Sequence, residues 1–340
     1  MTTLPGKKTV DRAGALLRSE KPGGEVYRMA YENVALWRGC FALPLQRMNM
    51  IVRRRRIQPM IVAQRLKRMS SIIDKLKRYK DMQTSRIQDI GGLRVVFQNL
   101  REMYAFSDEM KSLSLDNFSL VRLKDYVKEP KESGYRGIHQ IFKFNNPDYP
   151  ESDGRLIELQ IRTRLQHLWA TSVESLDIIL NSAFKTGRDG APHARYMQLA
   201  SALFALAEGQ LPQAEFVEVP AAEIAAEIGQ EGAQFDEYLR DNVDKTLIAG
   251  APGEEDSYTL LSLDMIDDKP HVSVWAGFKG GETQAVRKYS DLEAGTDDSS
   301  LVVLVCAGGT MRELEEAYPN YFLRLRTFKD ELSRICANIG

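Results

Sequence analysis

The segment IELQIRT alternates Glu158, Gln160 and Arg162 with Ile157, Leu159 and Ile161. In a strand alternate residues share a face, so a carboxylate, an amide and a guanidinium would stand in a row while the apolar residues enter a core. Such a row suits a metal ion and a phosphate, or is simply a solvated face. A second acid, Asp89, lies in QDIGGLRVVF, ahead of a glycine pair and an apolar run carrying Arg94. It is either a turn residue bonding its own backbone or a metal-holding carboxylate. Two carboxylates from neighbouring strands are what a hard cation such as Mg²⁺ takes, with water and phosphate oxygens completing its shell. The pairing of Asp89 with Glu158 is an expectation about tertiary contact.

Two further stretches carry chemistry. Read as a helix, RLKRMSSIIDKLKRY places Arg65, Arg68 and Ile72 along one stripe and Lys67, Ser71, Lys75 and Arg78 along the next. Cations so placed could grip a triphosphate through charge-assisted hydrogen bonds, or form a solvated face. YVKEPKESGYRGIH crowds Lys131, Tyr135 and His139 together, with Gly134 and Gly137 to bend the chain between them. No Ser-His-Asp or Cys-His pattern is evident.

The elements that must position these residues follow from periodicity. Apolar groups at helical spacing mark two long amphipathic helices, over residues 25–49 and 57–79, with a basic run at their junction. The runs GGLRVVF, FSLVRLKDYV, IHQIFKF and GRLIELQIRT, with a helical LREMYAFSDEMKSL between the first two, read as a mixed sheet flanked by helices. Helices over about 164–180 and 193–207 complete a first domain, residues 1–207. Residues 208–256 are acidic, helical in the middle, and end in the linker-like AGAPGEEDS. Residues 257–340 read as strands YTLLSLDMI, HVSVWAGF and SLVVLVCA, a helix MRELEEA, the segment YPNYF and a last helix, a small α/β unit. The whole is of the α+β class.

With 340 residues the chain can bury a substantial core. Its net charge of −1 argues against general coating of nucleic acid, but the charge is unevenly spread. Arg53 to Lys80 holds eleven Lys or Arg and one acid, Asp74, whereas Glu208 to Asp256 holds thirteen acids and two cations, Arg240 and Lys245. One part could attract phosphates and the other could cover it. Cys40, Cys306 and Cys336 are too scattered for a disulfide framework, and no Cys/His cluster suits a zinc ion. No signal peptide or membrane-length apolar run is present, so a soluble, cytoplasmic protein without a membrane partner is expected.

RLKRMSSIIDKL, QDIGGLR, DYVKEPKESGYRGIH and IELQIRT together resemble the RelA/SpoT-type alarmone synthetases, over roughly residues 30–205. The resemblance implies a nucleotidyltransferase-like fold that moves the β,γ-pyrophosphate of ATP onto a 3′-hydroxyl with Mg²⁺. By motif position, Arg65, Lys67, Ser71 and Lys75 would bind ATP phosphates and Arg94 the adenine or phosphates. Asp89 and Glu158 would hold Mg²⁺, Glu158 also drawing the proton from the attacking hydroxyl. Gln160 and Arg162 would support that polar face, Tyr135 would stack on the acceptor base, and Lys131 and His139 would meet acceptor phosphate or ribose. Such a site needs positioning and charge cancellation rather than a covalent nucleophile. The region before the motifs is short and has no His, so a hydrolase domain is not expected.

The C-terminal part, with Tyr318 and Tyr321 in EEAYPNYF and few cysteines, is similar to the zinc-finger-like unit, lacking zinc ligands, of the CapRel group of fused toxin–antitoxin proteins. That resemblance implies transfer to the 3′-CCA end of tRNA, a C-terminal unit that blocks the nucleotide site through Tyr318 or Tyr321, and release by a phage structural protein, typically the major capsid protein. Arg53, Arg54, Arg55 and Arg56, with Lys77, Arg78 and Lys80, are the candidates for holding tRNA. The other reading is a small alarmone synthetase using GDP or GTP. The surface met by a trigger is sought in exposed strands or at Trp275 and Phe278.

Overall fold

A computed structural model describes residues 4–112, 117–179, 193–242, 247–252, 258–266, 269–278, 284–285, 288–289, 292, 301–306, 310–322 and 325–339. The first helical stretch is divided. After α1 (Lys7–Ser19) come α2 (Glu25–Gly39) and α3 (Ala42–Arg53). The single helix expected over 57–79 is instead a strand, β1 (Ile61–Leu66), followed by α4 (Met69–Arg78). Pro59 lacks an N–H and turns Gln58 away from helical geometry, and β-branched Ile61 and Val62 favour the extended chain. Helical spacing holds only from Met69, where Met69, Ile72, Ile73 and Leu76 are buried on one face. Arg65 therefore stands on a strand, Lys67 in the connection, and Ser71 and Lys75 on the helix; the two helical stripes do not exist.

The remaining strands fall where the sequence places them: β2 (Gly91–Phe97), β3 (Phe118–Asp125), β4 (Ile138–Phe144) and β5 (Leu156–Thr163), with α5 (Leu100–Ser112) between β2 and β3. They form a mixed sheet in the order β1-β2-β5-β4-β3, in which β2 and β5 are parallel and the other pairs antiparallel. Ile157, Leu159 and Ile161 are fully buried on one face of β5. The register sets Gly92 opposite Glu158 and Arg94 opposite Gln160, and Arg65 of β1 opposite Gly92, so the polar side chains gather on the other face. α6 (Arg164–Ile179) and α7 (Ala194–Ala207) follow.

The described side chains of the acidic connector pair away from the basic run. Its helix, α8 (Ala221–Asn242), packs on α7, where Arg195 takes Glu227 at 2.6 Å and Glu215 at 3.0 Å. Beyond it lies a four-stranded sheet in the order β6-β8-β7-β9, built from β6 (Leu247–Gly250), β7 (Tyr258–Ile266), β8 (Lys269–Trp275) and β9 (Leu301–Cys306). β6 comes from residues read as connector, and residues 253–257, the end of the expected linker, lie outside the described residues. Trp275 and Phe278 are half-buried against Leu260, Ala285 and Tyr289. Helix α9 (Met311–Ala317) starts at a capping box between Thr310 and Glu313.

The last helix, α10 (Arg326–Ala337), was read as closing the C-terminal unit, yet it is built into the first core. Leu325, Phe328, Leu332 and Ile335 pack with residues of α6 and α7, and the ring of Phe328 lies 5.7 Å from Phe204 and 6.3 Å from Tyr196. Arg164 pairs with Glu331 at 2.8 Å across the same contact. Phe328→Ala should lower stability by about 3–5 kcal/mol, the cost of emptying a fully buried aromatic site. Urea denaturation measures it, and a loss below about 1 kcal/mol would show that α10 is no part of this core.

Candidate functional site

Asp89 stands just ahead of β2, where its carboxylate receives Lys67 Nζ at 3.0 Å and Lys75 Nζ at 2.9 Å. Burial works to raise its pKa, but the two ammonium groups outweigh burial and hold it well below the usual carboxylate range. Lys67 itself is pulled down by burial, against the support of Asp89. Glu158 accepts from His139 Nδ1 at 2.9 Å and from Gln160 Nε2 at 2.7 Å. Burial again opposes ionisation, and the hydrogen bond and charge of His139 overcome it, so Glu158 is also held low. The charge of Asp89 acts on Glu158 in the opposite sense, which places the two carboxylates within electrostatic reach.

Beside them is a cluster of guanidiniums. Arg94 is buried, and burial followed by the nearby Arg162 charge pulls its pKa down to about 10. Arg65 is held up by Glu174 and then Tyr321, despite its burial. Arg94 Nε and Arg162 Nε and Nη1 are buried without a hydrogen-bond partner among the described residues. Two α6 residues complete the cluster: Glu174, 3.8 Å from Arg94, and His167, whose Nε2–H donates to the Glu316 carbonyl at 3.1 Å. Burial, Arg94 and Arg162 push the His167 pKa down to about 3. The sequence reading passed over both residues. Their i, i+7 spacing in RLQHLWATSVES, which sets them on the same helix face as buried Ala170, was the available signal.

The loop before β4 needs its glycines. Gly134 has φ +90° and a Cβ there would come 2.7 Å from Ser201 Cβ, while Gly137 has φ +145° and lies against Arg162 and the Ile161 carbonyl. The bend closes a circuit of hydrogen bonds. Arg162 donates to the Tyr135 hydroxyl and to Gln160 Oε1, each at 3.0 Å; Gln160 donates to Glu158; Tyr135 bonds His139 Nε2, whose Nδ1 meets Glu158. Tyr135 is only 3% exposed, with Lys131 Nζ 4.9 Å from its ring centre and the Arg162 guanidinium at 5.2 Å. Tyr126, His139 and Trp169 also stand edge-on around that ring, and both nitrogens of His139 are already engaged.

One wall of the pocket comes from the C-terminal unit. Ala63, Arg65, Lys67, Asp89, Gly92, Arg94, Glu158 and Gln160 line it together with Tyr318, Asn320 and Tyr321. Tyr318 and Tyr321 are 3% and 1% exposed, and the Tyr318 hydroxyl donates to the Gln64 carbonyl of β1 at 2.8 Å. The space left is about 40 Å³, which at roughly 10–15 Å³ per water admits a few waters and no nucleotide. Ser71 is half-buried in the first turn of α4. Arg53, Arg54, Arg56, Lys77, Arg78 and Lys80 are exposed and Arg55 half-buried, at the ends of α3 and α4.

No group of three or more His, Cys, Asp or Glu residues is placed for a metal ion among the described residues. Asp89 and Glu158 still fit Mg²⁺, which commonly takes only one or two carboxylates and finds its other ligands on phosphates and water. No helix among the described residues is long and apolar enough to cross a membrane.

A family model described as "Region found in RelA / SpoT proteins" matches residues 64–176. This stretch runs from within β1 to near the end of α6, and apart from Ala63 it contains every residue that lines the pocket from outside the C-terminal unit. The chain is similar to two proteins of Bacillus subtilis (strain 168). It is 33% identical over 119 residues to GTP pyrophosphokinase YjbM, covering 34% of this chain and 55% of that protein. It is 30% identical over 129 residues to GTP pyrophosphokinase YwaC, covering 35% and 58%. It thus spans somewhat over half the length of these relatives. Among solved structures, the small alarmone synthetase 1 from Bacillus subtilis bound to its product pppGpp is 27% identical, with 44% of this chain and 74% of that one covered and a TM-score of 0.38.

Asp89→Asn leaves Lys67 and Lys75 facing each other in a half-buried site, and should lower stability at pH 7 by about 1–3 kcal/mol. Because the folded carboxylate titrates below its ordinary 3.8, its contribution is present above that pH and lost as the pH falls towards the folded value. Denaturation at several pH values should therefore show the gap between wild type and variant closing below about pH 4; a gap that widens with acid would refute the ion-pair account.

Proposed function

We propose that this chain is an ATP-dependent pyrophosphokinase of the RelA/SpoT type whose C-terminal unit plugs its own donor pocket. The observation that carries the reading is the meeting of Arg65, Lys67 and Arg94 with Asp89 and Glu158 in one pocket, where Lys75 reaches Asp89 from α4 and Tyr318 and Tyr321 form part of the wall. Donor phosphates would take Arg65, Lys67, Ser71 and Lys75 through charge-assisted hydrogen bonds. The two lysines now on Asp89 would turn to the phosphates, and Asp89 with Glu158 would hold Mg²⁺, which supplies charge neutralisation on the transferring group. Glu158 takes the proton of the acceptor hydroxyl as its oxygen bonds to the β-phosphorus. The bond from that phosphorus to the α-phosphate bridge breaks, and AMP leaves. His139 holds the Glu158 carboxylate in place during this exchange, and Arg162 steadies both arms of the circuit.

For the acceptor we favour a guanosine di- or triphosphate, because the similar proteins bear the name GTP pyrophosphokinase. Its base would replace Lys131 over Tyr135, and Lys131 would then meet its phosphates. A second reading keeps the donor chemistry and makes the 3′ end of tRNA the acceptor, with a phage structural protein lifting a zinc-finger-like plug. The plug itself and the exposed cations Arg53, Arg54, Arg56, Lys77, Arg78 and Lys80 support that reading.

The test incubates wild type and Tyr321→Ala with ATP radiolabelled on its γ-phosphate, together with GDP, GTP and tRNA. Removing the ring should raise label transfer by about tenfold or more, equivalent to about 1.4 kcal/mol of lost blockade. Label on a guanosine nucleotide supports the first acceptor and label on tRNA the second. A folded Tyr321→Ala protein that transfers label to neither overturns the proposal.

A further inference from the structure

The charges of Arg162 and Arg65 both act against the Arg94 guanidinium, and like charges repel more strongly where water is scarce. The neighbouring acids are already engaged: Asp89 by Lys67 and Lys75, Glu158 by His139 and Gln160. Arg162 is fixed separately through Tyr135 and Gln160. Arg94 has neither arrangement. Among the described residues the acid within ion-pair distance of it is Glu174, at 3.8 Å, with both side chains largely withdrawn from solvent at 9% and 15% exposure. Glu174 also acts on Arg65 more strongly than any other charged group does. Glu174 is not among the residues that line the pocket, whereas Arg65 and Arg94 are, so its carboxylate reaches the site through the Arg94 guanidinium.

We propose that Glu174 is a positioning residue of the donor site, an α6 carboxylate that holds Arg94 and Arg65 at a spacing where one nucleotide can engage both. The inference rests on the pyrophosphokinase reading and adds to it a residue on an element outside the sheet. A carboxylate buried among cations is retained only while they neutralise it, and the dependence is mutual. Without Glu174 the unpartnered Arg94 Nε and its guanidinium face Arg162 and Arg65 with no counter-charge, and the arginines move apart before ATP arrives.

Calorimetric binding of a non-transferable ATP analogue tests this in the unplugged Tyr321→Ala background. Adding Glu174→Gln, which keeps shape and removes charge, should weaken analogue binding about tenfold, while KM for the acceptor stays within about twofold of the parent. Adding Glu174→Asp should leave binding about threefold weaker than in the parent, because the charge returns on a shorter arm. Equal or tighter analogue binding by the Gln variant overturns the inference. Should the Gln variant fail to fold, the Asp variant carries the test: a loss of about threefold with unaltered melting upholds it, and unchanged affinity overturns it. Absence of binding in folded Tyr321→Ala alone defeats the donor-site reading, and this inference with it, and so is told apart from failure of Glu174 specifically.

Discussion

Arg65, Lys67, Lys75, Arg94 and Arg162 converge on one face of the five-stranded sheet, and like charges withdrawn from water stay together only where something answers them. Three carboxylates do so, each from a different element: Asp89 ahead of β2, Glu158 on β5 and Glu174 on α6. The sheet register follows the same need. Gly92 between Arg65 and Glu158 contributes no side chain, which leaves the centre of the face open. The apolar backing of Leu93, Leu159 and Ile161 keeps the strands from shifting, since a one-residue slip would drive the charged row into the core.

Tyr318 and Tyr321 are suited to closing such a site. An aromatic ring offers its face to a guanidinium without adding a full charge, and its hydroxyl can find a backbone acceptor, as Tyr318 does on Gln64. A carboxylate inserted there would pair with the arginines and be hard to withdraw. A second contact lies further along: Tyr289 receives Arg38 Nη1 at 3.1 Å under a guanidinium 4.7 Å from its ring centre, and Arg38 also reaches the Lys67 carbonyl. Arg38 of α2 therefore links the C-terminal unit to the connection that carries Lys67.

Much of this was legible in the sequence. The period-two pattern of IELQIRT placed the row of β5 on one face, and the glycines of KESGYRGIH announced the bend that brings Tyr135 to His139. What misled was periodicity across 57–79, where a strand and a helix in succession mimic one long helix; Pro59 was the better guide, because its missing N–H acts whatever the pattern of apolar residues. Glu174 and His167 escaped because a helix as apolar as α6 hides polar residues whose partners come from distant strands. The fate of α10 could not be read at all. Its amphipathic face would suit either core, and the choice depends on tertiary packing against Phe204 and Tyr196.

That choice has a mechanical consequence. Leu325, Phe328, Leu332 and Ile335 anchor the end of the chain in the first core, and at roughly 1.5–3 kcal/mol per large buried side chain their hold far exceeds that of a single hydrogen bond at about 0.5–1.5 kcal/mol. The tyrosines are separated from this anchor by only a few residues, so under the proposed function they would compete with a nucleotide as a tethered group, at an effective concentration of the order of millimolar or more. Tethering would make such a blockade strong without requiring each contact to be strong. It would also make it sensitive: every 1.4 kcal/mol taken from the tyrosine contacts would shift the balance towards the nucleotide by about tenfold, while the anchor would keep the tyrosines at hand to return.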